Sequence, residues 1–159
     1  MKRTWLAALG LLLAGCGIAP SGVTEAGRAP TGLAPGVTLY FVDAHQQLRQ
    51  QLRPTGRLGT ISEAMYLLLT GPGTGDPDLH TEIAPSTTAQ SLVTTTPSVI
   101  QLQVPLTIQD VTPLGLDQIV CTALGTSVQA GGSKSTKVQV VFIQATPESA
   151  KRRSCPLIS

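Results

Sequence analysis

Apolar and polar positions follow different rhythms in successive parts of the chain. Trp5 to Gly15 is an uncharged, leucine-rich run of about 11 residues behind Lys2 and Arg3. Gly17 to Gly36 is rich in Gly, Pro, Ala, Ser and Thr, a composition that buries no core and behaves as a tether. Val37-Thr38-Leu39-Tyr40-Phe41-Val42 is β-branched and aromatic and reads as a strand buried on both faces. A short second strand is expected near Leu48 to Leu52, ahead of Pro54. Thr60-Ile61-Ser62-Glu63 has the capping-box pattern, a Thr N-cap with Glu at the third helical position. It predicts a helix over Ile61 to Thr70, with Ile61, Ala64, Met65, Leu68 and Leu69 on one face. Gly71 suits a left-handed cap and Pro72 forbids a further turn.

The second half alternates. Gln90 to Thr96 and Val99 to Val104, separated by Pro97-Ser98, predict a hairpin. Ile100, Leu102 and Val104 alternate with Gln101 and Gln103, so one face is buried and one wet. Pro105 to Asp110 repeats the alternation weakly. Thr112-Pro113 is an N-cap followed by Pro at the first helical position. The helix it opens is expected to reach about Leu124 and to end at Gly125. Gly131-Gly132 mark a turn, and Lys137 to Gln144 reads as the last strand. The expected class is α/β (α+β), a single domain in β-α-β-β-α-β order with two helices packed on one mixed sheet.

The N-terminal run is too short to span a bilayer, which needs roughly 20 residues. A positive start, short apolar core and small residues describe a secretory signal peptide. Leu13-Ala14-Gly15-Cys16 resembles the lipobox of bacterial lipoproteins, which implies cleavage between Gly15 and Cys16 and acylation of the Cys16 thiol, palmitate being the expected chain class. The expected organisation is a signal peptide over 1–15, a lipidated cysteine and linker over 16–36, and a domain over 37–159. The chain is then held on the extracytoplasmic face of the cell membrane.

Charge changes little in this picture. Of 11 Lys+Arg and 9 Asp+Glu, Lys2 and Arg3 belong to the signal, so the remaining side chains balance. No basic footprint for nucleic acid is left. Arg49, Arg53 and Arg57 read as solvated, and Lys151-Arg152-Arg153 as a soluble end rather than a contact for an anionic membrane surface. With Cys16 acylated, Cys121 and Cys155 remain as a pair. They form either a disulfide or two separately buried thiols, and an oxidising compartment favours the disulfide.

Several local patterns between Val37 and Gln144 resemble the GerMN domain of sporulation and germination proteins, also found in actinobacterial lipoproteins. Leu39-Tyr40-Phe41-Val42-Asp43 is similar to its opening strand, and Leu67-Leu68-Leu69-Thr70-Gly71-Pro72 to its helix-ending motif. Ile83-Ala84-Pro85 and Gln118-Ile119-Val120-Cys121-Thr122-Ala123-Leu124 resemble the segment before its hairpin and its second helix. The resemblance implies a non-catalytic assembly or binding module at the envelope, with a protein or envelope-polymer partner and no catalytic residues.

Candidate chemistry is sparse. His45 and His80 are the 2 histidines of the chain. Asp76-Pro77-Asp78-Leu79-His80 could be drawn as a metal cluster but reads as an acidic loop surface. Asp43 and His45 follow the first strand without a nucleophile elbow, and no phosphate-cradling Gly-rich loop occurs. The expectation is no enzyme, no metal and no cofactor. An envelope small-ligand carrier or hydrolase is the alternative, which a convergent polar pocket would favour; an open sheet edge or apolar patch would favour the interaction module.

Overall fold

The computed structural model describes residues 36–159; the expected signal peptide, Cys16 and the expected linker up to residue 35 lie outside the described residues. Strand β1 (Gly36–Val42) pairs antiparallel with β2 (Leu48–Pro54), from Gly36 opposite Pro54 to Val42 opposite Leu48. Asp43 closes the turn between them, accepting the backbone N–H of His45 at 2.9 Å and of Gln47 at 3.0 Å. Helix α1 (Ile61–Leu69) follows. The hairpin β3 (Leu92–Thr95) and β4 (Val99–Gln103) comes next. Helix α2 (Pro113–Gln129) then crosses over to β5 (Lys137–Val141), which lies parallel to β4. A two-residue strand β6 (Arg152–Arg153) closes the far edge antiparallel to β5. The fold is α+β, and a single domain is consistent with it.

The strands divide into a two-stranded sheet, β1-β2, and a four-stranded mixed sheet, β3-β4-β5-β6, rather than joining in one sheet. The reason lies at the second edge of β1, where α2 takes the place of a neighbouring strand. The N–H of Tyr40 donates to Thr122 Oγ1 at 3.0 Å, and Gln118 Nε2 donates to the Tyr40 carbonyl at 3.0 Å. The N–H of Thr38 donates to Gln129 Oε1 at 3.2 Å. Val42 exchanges backbone bonds with His80 instead. Gln118, Thr122 and Gln129 share one helical face, and the first two are completely buried. A buried strand edge is thus satisfied by helix side chains, as buried backbone groups require.

Leu39 and Phe41 of β1, Met65 and Leu68 of α1, and Ile119 and Leu124 of α2 are at 0–1 % exposure in one cluster with Ile100, Leu102, Val138 and Val140 of the mixed sheet. Each such side chain stabilises by about 1.5–3 kcal/mol relative to exposure. Gln101, Gln103 and Gln139 lie on the opposite, wet face of β4 and β5, as the alternation predicts.

Four local expectations need correction. Helix α2 runs through Gly125 to Gln129, because Gly125 serves close packing rather than termination; Gly131, at φ +89°, is the left-handed residue past the helix end. The last strand stops at Val141, since the Phe142 N–H turns to Ser149 Oγ and the Ile143 N–H to the Leu106 carbonyl. Residues Ile108–Asp110 form a 3-10 turn instead of continuing the alternation, with Asp110 Oδ2 accepting from both the N–H and hydroxyl of Thr107. At the start of α1, Thr60 Oγ1 accepts the Glu63 N–H at 3.2 Å. The reciprocal half of the box is replaced by an ion pair between Glu63 and Arg57 at 3.1 Å. Beyond α1, Gly71 has φ +90° and its N–H donates to the Leu68 carbonyl, with Pro72 next in the chain.

Candidate interaction surface

The sequence-level candidates Asp43, His45, Asp76 and Asp78 do come together, around one shallow hollow with Arg49 and Leu79. Two of the carboxylates hold the local backbone. Asp43 holds its turn and pairs with Arg49 Nε at 2.8 Å. The Arg49 hydrogen bond, helped by the Gln47 N–H, holds its carboxyl down at about 2. Asp76 Oδ1 accepts the Asp78 N–H at 3.1 Å. His80 points elsewhere, with Nε2 3.1 Å from Glu82 Oε1. Among the described residues no group of three or more His, Cys, Asp or Glu could hold a metal ion.

A second hollow lies at the start of α2, lined by Ile108, Val111 and Leu116 with Asp117, Glu148 and Arg153 on one wall. Burial raises the Asp117 carboxyl above its ordinary value, and Arg153 pulls partly the other way. Glu148 is held below its ordinary value, first by its hydrogen bond from Lys151 and also by Arg153, with which it pairs. The Thr112 hydroxyl beside them accepts the Gly115 N–H at 3.1 Å as helix cap. The hollow thus sets two carboxylates and one guanidinium beside an apolar floor. Arg153 reaches it because Cys155 stands at disulfide distance from Cys121 on α2: the sulfurs are 2.04 Å apart and the Cα atoms 4.7 Å apart. The sequence by itself reads Arg153 as a soluble end, since nothing local links it to Asp117 or Ile108, 36 and 45 positions earlier.

The third feature is the outer edge of the mixed sheet. From Ile83 to Gln109 the chain carries no Asp, Glu, Lys, Arg or His. Strand β3 forms the edge of that stretch. The Thr96 N–H donates to the Val99 carbonyl at 2.8 Å across the hairpin turn. Alternation of the antiparallel ladder then gives Thr94 and Leu92 to β4 and turns the backbone groups of Val93 and Thr95 outward. Among the described residues neither N–H donates a hydrogen bond. Leu92, Thr94 and Thr95 are exposed, while Val93 packs on the core. Leu92 is 62 % and Ile143 67 % exposed, and both border one groove with Gln103, Val104 and Val141.

No family model, curated protein or solved structure matches this chain. The surface itself therefore carries the functional reading. Ordinary edge strands are short, charged, bulged or covered. This one is short, but it bears no charge on the strand, the turn or the adjoining segments.

Proposed function

We propose that the chain is a lipid-anchored, extracytoplasmic, non-catalytic interaction module of the bacterial cell envelope, of GerMN-like type. The observation that carries the module reading is the uncharged β3 edge, unpaired among the described residues, beside the exposed Leu92 and Ile143. Extended partners add to such edges through main-chain bonds, with side-chain grooves supplying selectivity. The anchor reading rests on Leu13-Ala14-Gly15-Cys16 behind a short apolar run; two or more acyl chains suffice for stable attachment where one is marginal. Among the described residues no helix is long and apolar enough to cross a membrane.

The test has two arms. Cys16→Ala is expected to abolish fatty-acid labelling and shift the chain out of the membrane fraction; unchanged labelling would refute the anchor. A photo-crosslinking residue at position 92, used in intact membranes, is expected to give defined protein adducts, whereas one at exposed Thr74 gives none. Equal, diffuse labelling at both positions would refute the module.

A second reading, small-ligand binding, is favoured by one observation: the raised Asp117 carboxyl in the apolar hollow of Ile108, Val111 and Leu116. Binding of a small apolar amine that is lost in Asp117→Asn would support it.

A further inference from the structure

We infer that the partner at the β3 edge is a second copy of this chain, paired antiparallel β3 to β3 across a twofold axis at Thr94. The inference rests on the interaction-module reading and names its partner. An isologous contact sets each residue against itself or its symmetry mate. Any charged residue near the axis would then face a like charge, and like charges directly opposite are destabilising. The stretch Ile83 to Gln109 contains none, so the strand, its turn and its flanking segments set no like charges against each other.

The register follows from the ladder. Val93 and Thr95 present their N–H and C=O groups outward. Setting Val93 opposite Thr95 of the other copy lets each pair exchange both backbone hydrogen bonds, so every outward group is used. Thr94 then meets Thr94 as a non-hydrogen-bonded pair, with Cα atoms about 4.5 Å apart. Threonine opposite threonine is a favourable cross-strand pair. On that same face, Leu92 of each copy lies opposite Thr96 of the other. The joined edge extends each mixed sheet into the next molecule, with Val93 still facing the core.

One short strand buries less than the roughly 1,000 Å² of a stable interface. The contact is therefore weak in dilute solution and needs copies confined to one surface, as an anchored chain is.

Disulfide trapping of the full chain in membranes tests this. Thr94→Cys brings two thiols within the Cα range of about 4.4–6.8 Å that a disulfide accepts. Mild oxidation is expected to convert most of the chain into a dimer that reductant reverses. Thr74→Cys, exposed in the loop after α1, serves as control and is expected to give at least fivefold less. Adding Thr95→Pro to Thr94→Cys removes an outward N–H that no described residue uses and should cut the dimer at least fivefold, with the circular-dichroism melt retained. Equal dimer from Thr94→Cys and Thr74→Cys would overturn the inference. So would mixed disulfides from Thr94→Cys to a different protein without self-dimer, although the interaction-module reading would survive that result. No adduct of either kind from Thr94→Cys would count against both.

Discussion

Gly125 of α2 lies against the ring of Tyr40 of β1: a Cβ at position 125 would stand 3.1 Å from Tyr40 Cε2. That closeness lets Thr122 and Gln129, on the same helical face, reach the backbone of β1. Tyr40 is only 6 % exposed, and burial raises its phenol above the ordinary value.

Substitution at Gly125 separates helix propensity from packing. Gly125→Ala gains about 1 kcal/mol of helix propensity, but the Tyr40 ring must give by a few tenths of an ångström. The two effects nearly cancel, and a change within about 1 kcal/mol is expected. Gly125→Leu forces the ring away and is expected to destabilise by about 1–3 kcal/mol. Urea unfolding checks both; a Gly125→Leu chain as stable as the parent would mean that α2 does not need this approach.

Gln118 ties three segments together. It donates to the Tyr40 carbonyl at 3.0 Å and accepts the Glu82 N–H at 2.8 Å, with no exposure of its own. Gln118→Leu leaves a buried acceptor and a half-buried donor unpaired, for an expected loss of about 2–4 kcal/mol. Gln118→Glu keeps the acceptor and adds a buried charge, so it should be no better near neutral pH. Equilibrium unfolding of both variants decides it, and a loss under about 0.5 kcal/mol for the leucine variant would contradict the bridging role.

The Cys121–Cys155 pair should hold the C-terminal segment. Both cysteines are buried, at 0 % and 3 % exposure, and β6 meets β5 at only two register positions. Reduction is expected to cost roughly 2–4 kcal/mol and to release residues 152–159 first. Hydrogen exchange would then speed up at Arg153 and Ile158 while Leu39 and Val138 stay protected. If both thiols take up an alkylating reagent before reduction, the tail is held by packing alone.

The Asp43 turn predicts an acid limb. Its carboxyl lies at about 2 when folded, below its ordinary 3.8, owing first to Arg49 and then to the Gln47 N–H. The ionised form therefore favours the folded chain. That stabilisation is complete above about pH 4 and is lost as pH falls from there through about 2. Asp43→Asn is expected to melt below the parent at neutral pH, with the gap closing towards pH 2. A gap that is constant across that range would place the effect in packing and not in the carboxylate charge.

Local signals in the chain determined most of the elements. The β-branched run of β1, the Thr60 and Thr112 caps, Gly71-Pro72 after α1 and the alternation of Ile100 and Leu102 with glutamines each depend on neighbours within one turn or one pleat. Such signals can be read without knowing what lies opposite. The tertiary structure alone decided what α2 does with Gln118, Thr122, Gly125 and Gln129. In sequence Gln118 and Thr122 belong to a helix expected to end at Gly125, with Gln129 beyond it. Folded, they meet the unpartnered edge of β1, where a strand's N–H and C=O groups need donors and acceptors more than apolar cover. The same holds for the candidate surfaces. Asp117 and Arg153 share a hollow only because the chain returns past α2, where Cys155 stands beside Cys121. The absence of charge from Ile83 to Gln109 is legible in the chain, but that it borders a sheet edge unpaired among the described residues follows from which strand ends up outermost. Strand order is set by long-range packing, and no local pattern encodes it.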